Sequence, residues 1–343
     1  MSRTLANALS VRAHGLDHVR LIAALAVVVS HAYPLALGRG TPEPLQASLG
    51  VSLGHCAVLV FFVLSGVLIA RAAERTRPVA FWLARILRIF PGLCVALVVT
   101  VICAVASGAE PTLRDTAQYV LRGVSLVSLE HSLPGAYAQN PYSGAVNGPL
   151  WTLFYEVACY ALVAAVIWFT PVGRWGWLVI LGMMAGAVLA AEAGHLPHHR
   201  LTVGAPLAFA FALGATAWAW RDRIVLRADV GPLILLLGTG LAAMTTDKSV
   251  ANIALAVSLG YAALVYGLRP TAKSLGGDIS YGVYVLGWPT SQTLVATFGD
   301  MSPEMLGLVS VALVIPLAWL SWTIVERPAL SLRHWAPLAK ATA

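Results

Sequence analysis

The chain has 343 residues, of which 59% are hydrophobic and 11% charged, with a mean hydropathy of +0.79. A soluble domain carries about 25% charged residues, so this composition excludes one and implies a chain that crosses a membrane several times. The net charge of +7 does not mark a nucleic-acid binder, because the basic residues sit between apolar runs and form no continuous stripe.

Ten apolar runs are long enough to cross, near residues 19–37, 49–70, 88–107, 149–170, 175–193, 201–220, 229–246, 249–268, 275–298 and 304–325. The expected fold is all-α, a polytopic membrane bundle of about ten transmembrane helices in one domain over residues 1–343, with no appended soluble domain. Residues 1–15 are mixed polar and no small-residue cleavage pattern follows, so the first run is expected to stay as a span. Residues 115–129 are too short to span and contain Arg122, which reads as an interfacial helix. Placing both termini in the cytoplasm puts 17 of the 22 Lys and Arg residues on that side, the arrangement the positive-inside rule selects. A multi-pass protein of the inner, cytoplasmic membrane is expected.

The first run, Leu16 to Pro34, carries Arg20 and His31 eleven residues apart. At 100° per residue they share one helix face, about 16 Å apart along the axis. An imidazole inside a bilayer must face protein or water, so His31 is a functional candidate on position alone. In the second run His55 is either an alternative base or a helix-packing histidine, and Ser65 and Gly66 of FFVLSG either line a cavity or let helices approach. Cys56, Cys94, Cys103 and Cys159 lie in apolar runs without CxxC spacing, which favours buried thiols over disulfides or zinc.

Between the second and third runs, Arg71, Arg75 and Arg77 read as a positive-inside anchor. Arg85 and Arg88 sit closer to the membrane at i and i+3, where guanidinium groups serve either as anchors or as a phosphate site. The long outer segment Ser107 to Gly148 could roof an acceptor site. It leads into NGPLWTLFYEVACY, where Asn147 or Gly148 can cap a helix with Pro149 at its first position. Glu156 then lies about 10 Å into the span, a depth at which a carboxylate must be paired or protonated. Trp151 is either an aromatic-belt residue or a pocket wall. HLPHHR holds His195, His198 and His199 without an accompanying Cys or carboxylate, so no metal is expected. Ser280 and Tyr281 in ISYGVYVLGWP are cavity-lining or packing residues.

Set in order, Arg20 with His31, VLVFFVLSG (58–66), RILRIFP (85–91), GPLWTLFYE (148–156), ISYGVYV (279–285) and VERP (325–328) resemble the integral-membrane acyltransferase-3 family, whose members O-acylate sugars and other exported acceptors. The chain departs from many relatives at Gly287, where they carry histidine, and at Ala57, where glycine is common. The resemblance implies transfer of an acyl group, usually acetyl, from cytoplasmic acyl-CoA to a hydroxyl of a saccharide or other acceptor across the membrane. His31 would then be the catalytic base and Glu156 an essential acid, while Arg20, Arg85 and Arg88 contact the donor. Asp17, Asn147, Trp151, Ser280 and Tyr281 complete the substrate-side candidates. His31 either deprotonates the acceptor hydroxyl or carries the acyl group itself. A transporter or flippase of an acylated or glycosylated metabolite is the competing reading, since intramembrane His, Glu and Arg also mark proton-coupled transport.

Overall fold

The computed structural model describes residues 3–10, 14–127, 132–270 and 273–335. Arg12 and Lys340 of the charge balance, and residues 128–129 of the short interfacial segment, lie outside the described residues. The long helices are α1 (Gly15–Leu37), α2 (Leu53–Arg75), α3 (Pro78–Ala106), α4 (Leu113–Ser125), α5 (Trp151–Phe169), α6 (Arg174–Glu192), α7 (His199–Ala219), α8 (Gly231–Met244), α9 (Lys248–Gly267), α10 (Ser280–Phe298) and α11 (Pro303–Ser321). β-Strand is confined, among the described residues, to Arg3–Thr4 paired antiparallel with Val225–Leu226. The chain is a helical membrane bundle.

Eight of the described helices are long and apolar enough to cross a bilayer, where the sequence reading expected ten spans. The remaining two expected runs fall on α8, which has only 14 residues, and α10, whose buried surface includes Ser280, Thr290, Ser291 and Gln292. The largest boundary correction is at α3, which begins at Pro78 rather than near residue 88 and runs for 29 residues. At 1.5 Å per residue that exceeds the hydrocarbon thickness by about 13 Å, so Arg85 and Arg88 ride inside a helix that projects beyond the core.

Local chemistry sets several ends. Ser52 accepts from the His55 amide at 3.1 Å to start α2, Asp247 accepts from Ser249 at 2.7 Å to start α9, and proline opens α3 and α11. Thr112 and Asp115 form a reciprocal capping box on α4, and the Thr112 hydroxyl holds the Asp115 carboxyl below the usual carboxylate range. α4 leaves Leu113 and Leu121 exposed on one side and meets α3 through Gly123, consistent with a helix too short to span. Asn147 does not cap as expected. Its side-chain amide donates instead to Thr100 Oγ1 at 3.1 Å and to the Val285 carbonyl at 2.9 Å, tying α3 to α10, and a 3-10 turn at Gly148–Leu150 leads into α5.

The helices divide into two compact units interleaved along the chain. One comprises residues 1–23, 45–76 and 155–276, the other residues 24–44, 77–154 and 277–343. In the first, α2 packs on α7 at backbone contact. A methyl on Gly66 would sit 2.1 Å from the Phe211 carbonyl oxygen and one on Gly214 2.1 Å from that of Val63, so Gly66 is where these helices meet. In the second, α10 is the central element, packed against α3 and α11. Its core includes Ala32, Leu35, Ala145, Trp288, Leu294 and Leu306.

Candidate active site

The second unit carries His31 near the C-terminal end of α1, half-buried at 25% side-chain exposure. Its ring meets Trp288 of α10 edge to face, with centroids 5.1 Å apart at 75°. Glu43, twelve residues on in the following loop, brings Oε2 to 3.8 Å from His31 Nδ1 and accepts a short hydrogen bond from the Ser30 hydroxyl. The hydroxyl therefore fixes the carboxylate beside the ring, at ion-pair rather than hydrogen-bond range. Pro42 and Pro44 bracket Glu43 and restrict the backbone that presents it.

The wall of this site is a tethered loop. Trp288 Nε1 donates to the Ala145 carbonyl at 2.9 Å, and Gln292, one turn later and fully buried, donates to the carbonyls of Tyr142 at 2.8 Å and Ala145 at 3.0 Å. Asn140 returns two bonds to Gln292, at 2.9 and 2.7 Å. Tyr142 also packs edge to face on Trp288 at 5.2 Å, and the Arg39 guanidinium lies over Tyr142 at 4.6 Å while donating to the Ser143 carbonyl at 2.9 Å. An imidazole, a carboxylate, two aromatic rings and an exposed guanidinium thus gather at one end of the unit.

A basic cluster occupies the N-terminal end of α10. Arg88 pairs with Asp278 at 2.5 Å, and Asp278 also accepts from the Ser280 amide at 3.2 Å and from its hydroxyl at 2.5 Å, which starts the helix. The Arg88 guanidinium lies 5.9 Å from the rings of both Tyr281 and Trp322, and Tyr281 donates to the Ile89 carbonyl at 3.0 Å. Glu326, in a π-helical turn after α11, is 1% exposed and accepts from Ser321 at 2.8 Å. Gly92 keeps α3 close, since a methyl there would lie 2.6 Å from Tyr281 and 3.1 Å from the Glu326 carboxyl carbon. Arg85, one turn from Arg88, is half-buried with its guanidinium 5.8 Å from the Phe81 ring.

A model of the acyltransferase domain matches residues 13–325, nearly all of the chain. The chain belongs to the acyltransferase-3 family. It is 29% identical over 336 residues to an O-acetyl transferase of Shigella phage Sf6, covering 91% of this chain and 94% of that protein. It is also 29% identical over 353 residues to nodulation protein 10 of Rhizobium leguminosarum bv. viciae, covering 92% and 93%. No solved structure matches the chain. With the apolar helices, these findings make it a multi-pass membrane acyltransferase.

The acyltransferase-3 motifs fall unevenly on the two units. His31, Arg85, Arg88, Asn147, Trp151, Ser280 and Tyr281 belong to the second, where Arg88 and Ser280 converge on Asp278, Tyr281 lies against Arg88, and Asn147 is a buried helix tie. Asp17, Arg20 and Glu156 belong to the first. Asp17 and Arg20 are half-buried in the first turns of α1. Glu156, half-buried on α5, accepts a short bond from Tyr160 one turn on and a long one, 3.5 Å, from Ser65 of α2. His55 bonds Asn252 of α9 at 2.5 Å, which supports its packing reading. At Gly287 the reason for glycine is steric, because a methyl would lie 2.5 Å from Val28 of α1. Among the described residues no group of three or more His, Cys, Asp or Glu gathers as a metal site. The four cysteines are free thiols; Cys56 and Cys159 are buried, while Cys94, expected to be buried, is exposed on α3.

Glu43, Trp288 and Asp278 were not singled out from the sequence, and Glu326 only as part of VERP; Glu43 carried a further signal, being the sole acid between the first two spans.

Proposed function

We propose that the chain transfers an acetyl group from cytoplasmic acetyl-CoA to a hydroxyl of a saccharide or similar exported acceptor, with His31 as general base. The observation that supports this most is the His31–Glu43 pair beside Trp288. A carboxylate facing Nδ1 favours the tautomer with its proton on Nδ1, which leaves the Nε2 lone pair to take a proton.

In this reading the acceptor O–H gives its proton to Nε2 as the oxygen attacks the thioester carbonyl. The new C–O bond forms, the C–S bond breaks, and the departing CoA sulfur recovers the proton from the imidazolium, whose charge Glu43 stabilises. Half-buried Tyr142 offers its ring for sugar C–H groups, with Trp288 buried behind it and Arg39 at the rim. Arg85 serves the anionic nucleotide end of the donor, while Asp278 holds Arg88 in one rotamer as a fixed positive charge. Both termini are assigned to the cytoplasm by the excess of Lys and Arg in the loops on that side.

The test uses purified protein in detergent with acetyl-CoA and a lipopolysaccharide or exopolysaccharide fraction as probe acceptor. Release of CoA thiol that depends on acceptor and is lost in His31→Ala is expected. Binding of acetyl-CoA without thiol release under any of these acceptors would remove the enzymatic reading and favour transport.

A further inference from the structure

The first unit contains a cavity of about 270 Å³ lined by none of the residues assigned to the transfer reaction. It lies where four membrane-length helices end together: the C-terminal turns of α2, α5 and α7 and the first turn of α6. That is the level at which a spanning bundle meets the lipid head groups. Its deeper wall is apolar, from Ala70, Val166 and Ala215, and its rim carries Glu74, Arg174 and Arg221.

The charges at the rim are unequal. Glu74 is the single acid among the described lining residues, and it is already engaged by Arg221 at 3.2 Å and by a short bond from Trp218 Nε1. Trp218 is flanked on its ring by Arg221 at 4.3 Å and Arg75 at 5.3 Å. Arg174 is exposed and lies 5.2 Å from the Trp220 ring, while Trp220 Nε1 donates to the Arg174 carbonyl at 2.9 Å. Two rim guanidinium groups against one carboxylate leave the rim positive, with Arg75 adding a third cation on the Trp218 ring, and the indole rings pin all three in place. A cationic or zwitterionic head group would bring a second positive charge to this rim. An anionic one brings only the complementary charge.

We propose that this cavity seats the phosphate of an anionic phospholipid, with Arg174 and Arg221 on the phosphate and the first acyl carbons against Ala70, Val166 and Ala215. An amphiphile fits better than a small ion because the apolar wall continues directly below the charged rim. None of its lining residues is assigned to the transfer, and its test uses no acceptor.

Full-length protein, delipidated in detergent, is examined by native mass spectrometry and thermal unfolding with phosphatidylglycerol, phosphatidylcholine, inorganic phosphate or acetyl-CoA. One retained phosphatidylglycerol and a rise in Tm specific to that lipid are expected, with both lost in Arg174→Gln. A second variant, Ala219→Phe, fills the cavity while keeping every arginine and should lose the same bound lipid. Equal retention of phosphatidylcholine, or an undiminished phosphatidylglycerol effect in both variants, overturns the proposal. An equal shift from phosphate alone assigns the rim to a free anion, and displacement of the lipid by acetyl-CoA assigns it to the donor; either result also overturns it.

Discussion

Tyr281 and Trp288 lie on one face of α10, seven residues apart, with Arg88 against the first ring and His31 against the second. Seven residues turn the helix 20° short of two full turns and advance it about 10 Å. One helix face therefore connects the basic cluster to the imidazole within a single compact unit. On the proposed reading, the nucleotide of acyl-CoA lies at the arginine end and its thioester at His31.

On the proposed reading Glu43 acts through His31 and not on substrate, so Glu43→Gln should lower kcat by about 10-fold or more while leaving KM for acetyl-CoA unchanged. Glu43→Asp should recover part of that loss, because it restores the charge with a shorter reach. Equal kcat in wild type and Glu43→Gln would make the carboxylate a loop anchor for Ser30.

Arg85 and Arg88 separate binding from stability. Arg88→Ala leaves the Asp278 carboxylate, 14% exposed, without its cation and should cost about 2 kcal/mol or more, read as a fall in Tm. Arg85→Ala should leave Tm unchanged and raise the apparent KM for acetyl-CoA. If the two variants behave alike in both assays, the division of roles assigned here is wrong.

The spans were legible because a run of about twenty apolar residues has few alternatives to a membrane helix. α10 strained that logic from the other side, since Gln292 and Ser291 are buried in protein, where their hydrogen bonds compensate polarity that apolar counting scores against a span. The Arg20–His31 spacing was readable from helical periodicity, and α1 is continuous through both. Glu43 was not, because a loop carboxylate reaches His31 through chain reversal, and periodicity carries no information past a helix end. Arg88 could be read as a cation at the membrane edge, but its partner Asp278 lies 190 residues away and no local pattern joins them.

Gln292 holds the loop that walls the site, so Gln292→Leu removes the donor to the Tyr142 carbonyl and should cost about 1–3 kcal/mol. Limited proteolysis is expected to cut within residues 133–147 faster in the variant. An unchanged cleavage pattern would mean that Trp288 and Asn147 suffice to hold the loop.

Gly66→Ala places a methyl against the Phe211 carbonyl, a backbone atom that cannot swing aside, so the α2–α7 contact must open. Loss of about 3 kcal/mol or failure to accumulate in the membrane is expected. Gly186→Ala on α6 meets open space and serves as the control, with Tm unchanged or slightly raised.

The most direct measurement is the rate of acceptor-dependent CoA release from acetyl-CoA by wild-type and His31→Ala protein, purified in equal amount and matched by Tm. A loss of about 100-fold or more at unchanged Tm is the expected result. A His31→Ala enzyme that turns over at the wild-type rate would contradict the assignment of the proton-transfer step to this imidazole.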